Sequence, residues 1–195
     1  REGKDKVLDM MINFAHMEAD CFITDFLQRP FDLVKLKKAF TKWQTKMYGK
    51  GWNALYMENH DHPRVISRYG SEQYRVESGK MLAVSYLFLK GTPFVYQGQE
   101  IGMINTPLAS LDDYKDIMVK NNARIARSLG LSKETVLRLA QKASRDNART
   151  CMQWSGAPNA GFTNGKPWFV VNSNYKDINV ESQLDDPNSI LNFYR

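Results

Sequence analysis

Apolar residues fall in short blocks along this chain, and a stretch with helical spacing follows each block. Val7 to Phe14 (VLDMMINF) is the first block, and it runs into Ala15-His16-Met17-Glu18. Leu36, Phe40, Trp43 and Met47 then recur on one helical face, with Asp32 placed to cap a helix that reaches about Tyr48. The second block, Trp52 to Met57 (WNALYM), ends in Glu58-Asn59-His60-Asp61-His62-Pro63-Arg64. Its helix is predicted from about Gln73 to Leu89, with Met81, Leu82, Val84, Leu87 and Phe88 as the apolar face. Pro93 to Tyr96 forms the third block and closes on Gln97-Gly98-Gln99-Glu100.

Strand-then-helix units of one polarity predict a parallel sheet with right-handed crossovers. The strands are short and apolar, as strands buried on both faces must be. Each ends in His, Asp, Glu or Gln. Barrels and open doubly wound sheets both gather their chemistry at that edge, so polarity alone does not choose between them. A (β/α)8 barrel takes about 250 residues. Three units in 195 residues therefore predict a piece of a barrel rather than a whole one. Arg1 opens the chain without a Met or a signal-peptide pattern, which points the same way.

Downstream, Ala109 to Ala143 reads as helix broken near Gly130, with Ser132 as a fresh cap. Arg145 to Tyr175 is irregular and rich in Asn, Gly and Pro, the composition of a long functional loop. Ser189 to Arg195 reads as the opening of one more helix.

Composition changes this picture little. The formal charge of +6 gathers most densely in Lys35, Lys37, Lys38, Lys42, Lys46 and Lys50, where 35, 38, 42 and 46 share a helical face opposite the apolar stripe. A solvated helix face accounts for that cluster, and no basic stripe with interleaved aromatics suggests a nucleic-acid partner. No apolar run approaches the roughly 18 residues of a membrane span. Cys21 and Cys151 lack metal-type spacing, and no Asn-x-Ser/Thr acceptor occurs. Both facts suit a cytoplasmic protein. No cofactor is implied, and no oxygen-ligand cluster of calcium type appears, so no metal site is expected.

Asn59-His60-Asp61 carries the candidate chemistry. A carboxylate and an imidazole side by side at a strand end can hold the hydroxyls of a neutral sugar, and Asp61 can offset positive charge in a dry site. Taken alone, the trio reads more readily as a turn cap with a loop histidine. His16 reads as packed rather than ligating. Trp154, Phe162 and Trp168 read as loop anchors before sugar platforms, and the methionines as core filler. Glu58 sits an odd number of positions from Asp61, which turns it to the other face and removes it as a partner acid.

The wider text shifts the balance. WNALYMENHDHPRVISRYG, GTPFVYQGQEIGM, RDNARTCMQW, GFTNGKPW and NYKDINV, in that order, resemble the oligo-1,6-glucosidase group of the α-amylase superfamily, and the likeness runs from KVLDMMINFAHM to SILNFYR. The resemblance implies a (β/α)8 TIM barrel of which residues 1–195 supply strand six to the start of helix eight, with a long loop after strand eight. The N-terminal barrel half and a C-terminal β-domain would lie outside. It also implies a retaining hydrolase of terminal α-linked glucose, acting on short oligosaccharides as a monomer. Its nucleophile and general acid would follow strands four and five, leaving this piece inactive alone. Asp61 resembles the third catalytic acid of that group, and His60 and Arg145 its sugar-binding residues. Asn59 and Arg64 match the motif as supports behind them. Trehalose-6-phosphate hydrolase, dextran glucosidase and sucrose isomerase share the scaffold, and an inactive barrel with an accessory role is the rival of another class. The chain departs from the pattern at His62 (usually Gln), Gln99 (usually Glu, a charge expected near the rim), Ala15 (usually Glu) and Cys151 (usually Pro).

Overall fold

The computed structural model describes residues 8–22 and 26–195. Val7, the first residue of the expected opening strand, lies outside them. Seven α-helices are described: α1 (Leu33–Met47), α2 (Val65–Tyr69), α3 (Arg75–Leu87), α4 (Ile117–Ser128), α5 (Lys133–Ala143), α6 (Glu181–Leu184) and α7 (Ile190–Tyr194). Two short strands, β1 (Ala54–Leu55) and β2 (Thr92–Pro93), lie between them.

The three apolar blocks do come together in parallel. β1 pairs with β2 in the register Ala54–Thr92 and Leu55–Pro93, and Met11 forms a parallel bridge to Asn53 on the other side of β1. The regular pairing is far shorter than the blocks. VLDMMINF contributes one bridge, and the third block starts at Thr92 instead of running from Pro93 to Tyr96. Beyond the ladder the blocks are not buried on both faces as expected: Ile12, Phe14, Phe94 and Val95 are exposed, whereas Tyr56 and Met57 are buried.

Helix α1 begins where its cap lies: the Asp32 carboxylate accepts from the Lys35 N–H at 3.0 Å. Leu36 is buried and Phe40 packs against the same core, while Lys37, Lys38, Lys42, Lys46 and Lys50 are exposed. In α3 the expected face is right in part, for Leu82 is buried and Leu87 packs against the core. Met81, Val84 and Phe88 are exposed, and the buried stripe is Ser78, Gly79, Leu82, Ala83 and Tyr86. Close packing decides this. A Cβ on Gly79 would meet Ile190 Cδ1 at 2.6 Å, so α3 approaches α7 through its smallest residues rather than its most apolar ones. α2 was hidden in the loop after Arg64.

Two cores result. Leu36, Leu55, Met57, Ile66, Leu82 and Tyr86 join α1, α2, α3 and the strands. Val119, Ala123, Val136 and Ala140 close the α4–α5 hairpin, with Phe26 and Phe169 laid against it. The break at Gly130 and the Ser132 cap, which accepts from Thr135 N–H, fall where the pattern put them. Residues 145–176 are irregular apart from short 3₁₀ turns. Among the described residues no helix is long and apolar enough to cross a membrane.

Candidate active site

Asn59 starts the site by shaping the backbone. Its Oδ1 accepts from the Asp61 N–H at 2.8 Å, closing a tight turn beyond β1. The turn sets His60 Nε2 3.2 Å from Asp61 Oδ2, with both side chains open to solvent. Asp61 Oδ1 takes the other contacts. Arg149 Nη2 donates to it at 3.0 Å, and Arg145 Nη1 at 3.4 Å. Arg149 also donates Nε–H to the His60 carbonyl at 2.9 Å. One carboxylate thus meets an imidazole and two guanidinium groups.

Both arginines ride on a single 3₁₀ turn, Arg145–Arg149, whose N-cap Ser144 accepts from Asp146 N–H. Most of the Arg145 guanidinium is turned away from Asp61. Its Nε and Nη2 donate to Asp116, a buried residue at the N-cap of α4. Burial pushes the Asp116 carboxyl up. The Arg145 hydrogen bonds and charge, with the Met118 N–H, outweigh burial and hold it below the usual carboxylate range.

Beside this cluster lies a cleft of about 290 Å³. Ile12, Phe14, Tyr56, Phe94, Val95 and Tyr96 give it aromatic and aliphatic walls, and His60 and Asp61 stand at its polar end. Apolar walls with a few converging polar groups suit a ring that is flat on its faces and polar at its edge.

Arg64, expected as a support behind Asp61, supports something else. It is fully buried, and Nη1 donates to Glu58 Oε2 at 3.0 Å and to the Gln97 carbonyl at 2.7 Å. The second Glu58 oxygen accepts from Val65 N–H at 2.8 Å. Glu58 lines the same cleft as Asp61, against the expectation that it faces the other way, but its carboxylate is committed to this pair. Burial pushes its carboxyl up, and Arg64 opposes the shift.

His16 is packed, as expected. Its ring stacks on Phe40 at 5.3 Å and meets the edge of Tyr56 at 4.6 Å, and Nε2 is buried without a hydrogen-bond partner. Burial, aided by the nearby His62 and Arg68, lowers its pKa from 6.5 to about 4. Gln99 is not at the rim: it is buried, and its Nε2 donates to the hydroxyls of Tyr86 and Tyr194. His62 is buried against Arg68, whose guanidinium approaches Nδ1 at 3.3 Å. The anchoring expected of Trp154, Phe162 and Trp168 falls instead to Phe169, which is buried while those three rings are at least 39% exposed. Cys151 is a buried free thiol.

Two members of the cluster, Arg149 and Asp116, were not singled out in the sequence. Arg149 had a signal, since it is the second cation of RDNAR. Asp116 had none.

Parallel βα units gather a carboxylate, a histidine and two arginines past the strand ends, the edge at which α/β barrels carry their chemistry. The chain belongs to the α-amylase family: residues 2–195 match the α-amylase catalytic domain, a (β/α)8 architecture. It is 47% identical over 191 residues to the oligo-1,6-glucosidase of Parageobacillus thermoglucosidasius, covering 96% of this chain and 34% of that protein. It is 42% identical over 194 residues to the trehalose-6-phosphate hydrolase of Bacillus subtilis (strain 168), covering 98% and 35%. The crystal structure of Bacillus licheniformis trehalose-6-phosphate hydrolase superposes with a TM-score of 0.91 at 46% identity, over 96% of this chain and 34% of that one. The chain thus spans about a third of the length of the curated relatives it matches.

Proposed function

We propose that this chain is the C-terminal portion of the catalytic barrel of a retaining α-glucosidase, from strand six to the start of helix eight. One observation carries the reading: Asp61 stands at the polar end of an apolar cleft, held by His60 on one oxygen and by two arginines on the other. The substrate class is a short oligosaccharide with a terminal α-linked glucose, α-1,6 before other linkages.

In a retaining glycosidase one carboxylate attacks the anomeric carbon while a carboxylic acid protonates the leaving oxygen, and water then releases the sugar. We assign both groups to barrel strands outside this chain. Asp61 grips the hydroxyls of the glucose being cleaved, and its charge offsets the positive charge that grows on the ring. His60, the more exposed partner, holds a neighbouring hydroxyl. Arg145 and Arg149 hold Asp61 in place, and one free edge of this pair is open to the sugar. Likeness to trehalose-6-phosphate hydrolases as well as to oligo-1,6-glucosidases favours a second substrate within the same reaction, a phosphorylated disaccharide.

The test uses the full-length protein with isomaltose and trehalose 6-phosphate as substrates. Asp61→Asn is expected to lower kcat by about 10³-fold or more while leaving the melting temperature within a few degrees. Near-normal glucose release by that variant would remove Asp61 from the chemistry, and an inactive wild type would favour the accessory-barrel alternative. The isolated 195-residue chain should release no glucose.

A further inference from the structure

Asp116 belongs to none of the sequence motifs, yet the structure invests heavily in its placement. Asp146 Oδ2 accepts from both the Lys115 N–H (2.7 Å) and the Asp116 N–H (2.9 Å), which clamps the backbone before the side chain is considered. The Asp116 side chain is 2% exposed. Oδ1 accepts from Met118 N–H at 2.9 Å and so starts α4. The same carboxylate takes Arg145 through its main-chain N–H at 3.4 Å, through Nε at 3.1 Å and through Nη2. Arg145 is left with Nη1 to offer Asp61.

The charges of this cluster decide what that arrangement does. Asp61 and Asp116 face Arg145 and Arg149, two carboxylates to two guanidinium groups, while the Asp146 carboxylate is turned to the backbone N–H groups of Lys115 and Asp116. With Asp116 uncharged, Asp61 alone would accept from both guanidinium groups, and the field at Asp61 would shift by one unit toward positive charge. A reaction that builds positive charge on a sugar beside Asp61 would then proceed against that field.

We propose that Asp116 is a positioning residue for the glycosidase site. It absorbs most of the hydrogen-bonding capacity and charge of Arg145, fixing the guanidinium edge-on to Asp61 and leaving the Asp61 charge available to the sugar. This rests on the α-glucosidase reading above. It also ties the α4–α5 hairpin to the site, because the residue that starts α4 is the one that holds Arg145.

A purely structural role would weaken every ligand alike, whereas a role through charge discriminates between a neutral sugar and a cation of the same shape. The experiment therefore compares glucose with deoxynojirimycin, a glucose-shaped amine that binds protonated, on the full-length protein. Asp116→Asn and Asp116→Ser remove the charge while keeping a residue that caps helices. Both are expected to lower kcat by about tenfold to a hundredfold, with deoxynojirimycin binding weakened about tenfold and glucose binding changed less than about threefold. Asp116→Glu, which restores the charge, should recover most of the deoxynojirimycin affinity. Should Asp116→Asn fail to fold, Asp116→Ser carries the same comparison. Parallel weakening of both ligands, unchanged kcat in the neutral variants, or no recovery in a folded Glu variant would each overturn the proposal. A wild type that hydrolyses no glucoside would sink the α-glucosidase reading instead, so the two failures are distinct.

Discussion

Arg149 donates Nη2–H to Asp61 Oδ1 at 3.0 Å across 88 positions of sequence, and its Nε–H reaches the carbonyl of His60 in the same grip. A single planar group therefore orients both the carboxylate and the backbone of the residue beside it.

Lysine cannot reproduce that grip, because an ammonium is a point charge on a flexible stem and not a fork. In the full-length protein Arg149→Ala is expected to lower kcat/KM for an α-glucoside by about a hundredfold, and Arg149→Lys should recover little of the loss. Steady-state hydrolysis rates decide it. A lysine variant with near wild-type activity would show that charge suffices and geometry does not matter.

His16 makes folding sensitive to mild acid. Its folded pKa is depressed from 6.5 to about 4, so between those values the unfolded chain binds a proton that the folded chain refuses. The contribution is fully present above about pH 6.5 and is lost as the pH falls towards 4, by about 3 kcal/mol in all. His16→Phe keeps the stack on Phe40 and removes the titration. Urea unfolding at pH 7.5 and 4.5 should show a smaller acid loss for the variant than for the wild type. Equal losses would place the acid sensitivity elsewhere.

Glu58 and Arg64 form an ion pair whose side chains are each 1% exposed. Removing one partner strands the other charge, so Arg64→Met is expected to destabilise the protein by about 3–5 kcal/mol. Burial already pushes the Glu58 carboxyl up with Arg64 present, and removing Arg64 takes away the charge that opposes that shift. The double variant Glu58→Leu/Arg64→Met should regain most of the loss. Denaturant melts of the three variants test this, and a double variant no better than the single would refute it.

Gly98 has φ +86°, and a Cβ there would stand 2.3 Å from Met103 Sδ and 3.2 Å from Arg64 Nη1. Gly98→Ala combines backbone strain with a clash inside the Arg64 network, for a loss of about 2–4 kcal/mol. Thermal unfolding should register a clear drop, and a variant as stable as the wild type would mean that the 97–103 loop can shift freely.

Legibility in the sequence depended on how local each signal was. The α1 and α5 starts were legible because Asp32 and Ser132 each cap the helix that follows by accepting from the N–H three residues on. The parallel arrangement was legible because a helical stretch succeeds each apolar block. The α3 face was misread in part, since close packing against α7 selected Gly79 and Ala83 over Met81 and Phe88, and apolar content does not report contact distance. At the site, Asn59, His60, Asp61 and Arg145 come from motif and meet as a group, whereas Arg64, read as a support, holds Glu58 rather than Asp61. Asp116 stayed invisible for a physical reason: its partner lies 29 residues away, and nothing beside it in the chain marks an Asp that pairs from one that merely caps.

Because Arg145 and Arg149 sit on one 3₁₀ turn, the number of residues between them acts as a ruler. Each residue in such a turn rotates the next side chain by about 120° around the axis. A one-residue deletion among 146–148 would swing one guanidinium off its carboxylate while sparing both arginines. In this stretch, spacing carries as much functional information as residue identity.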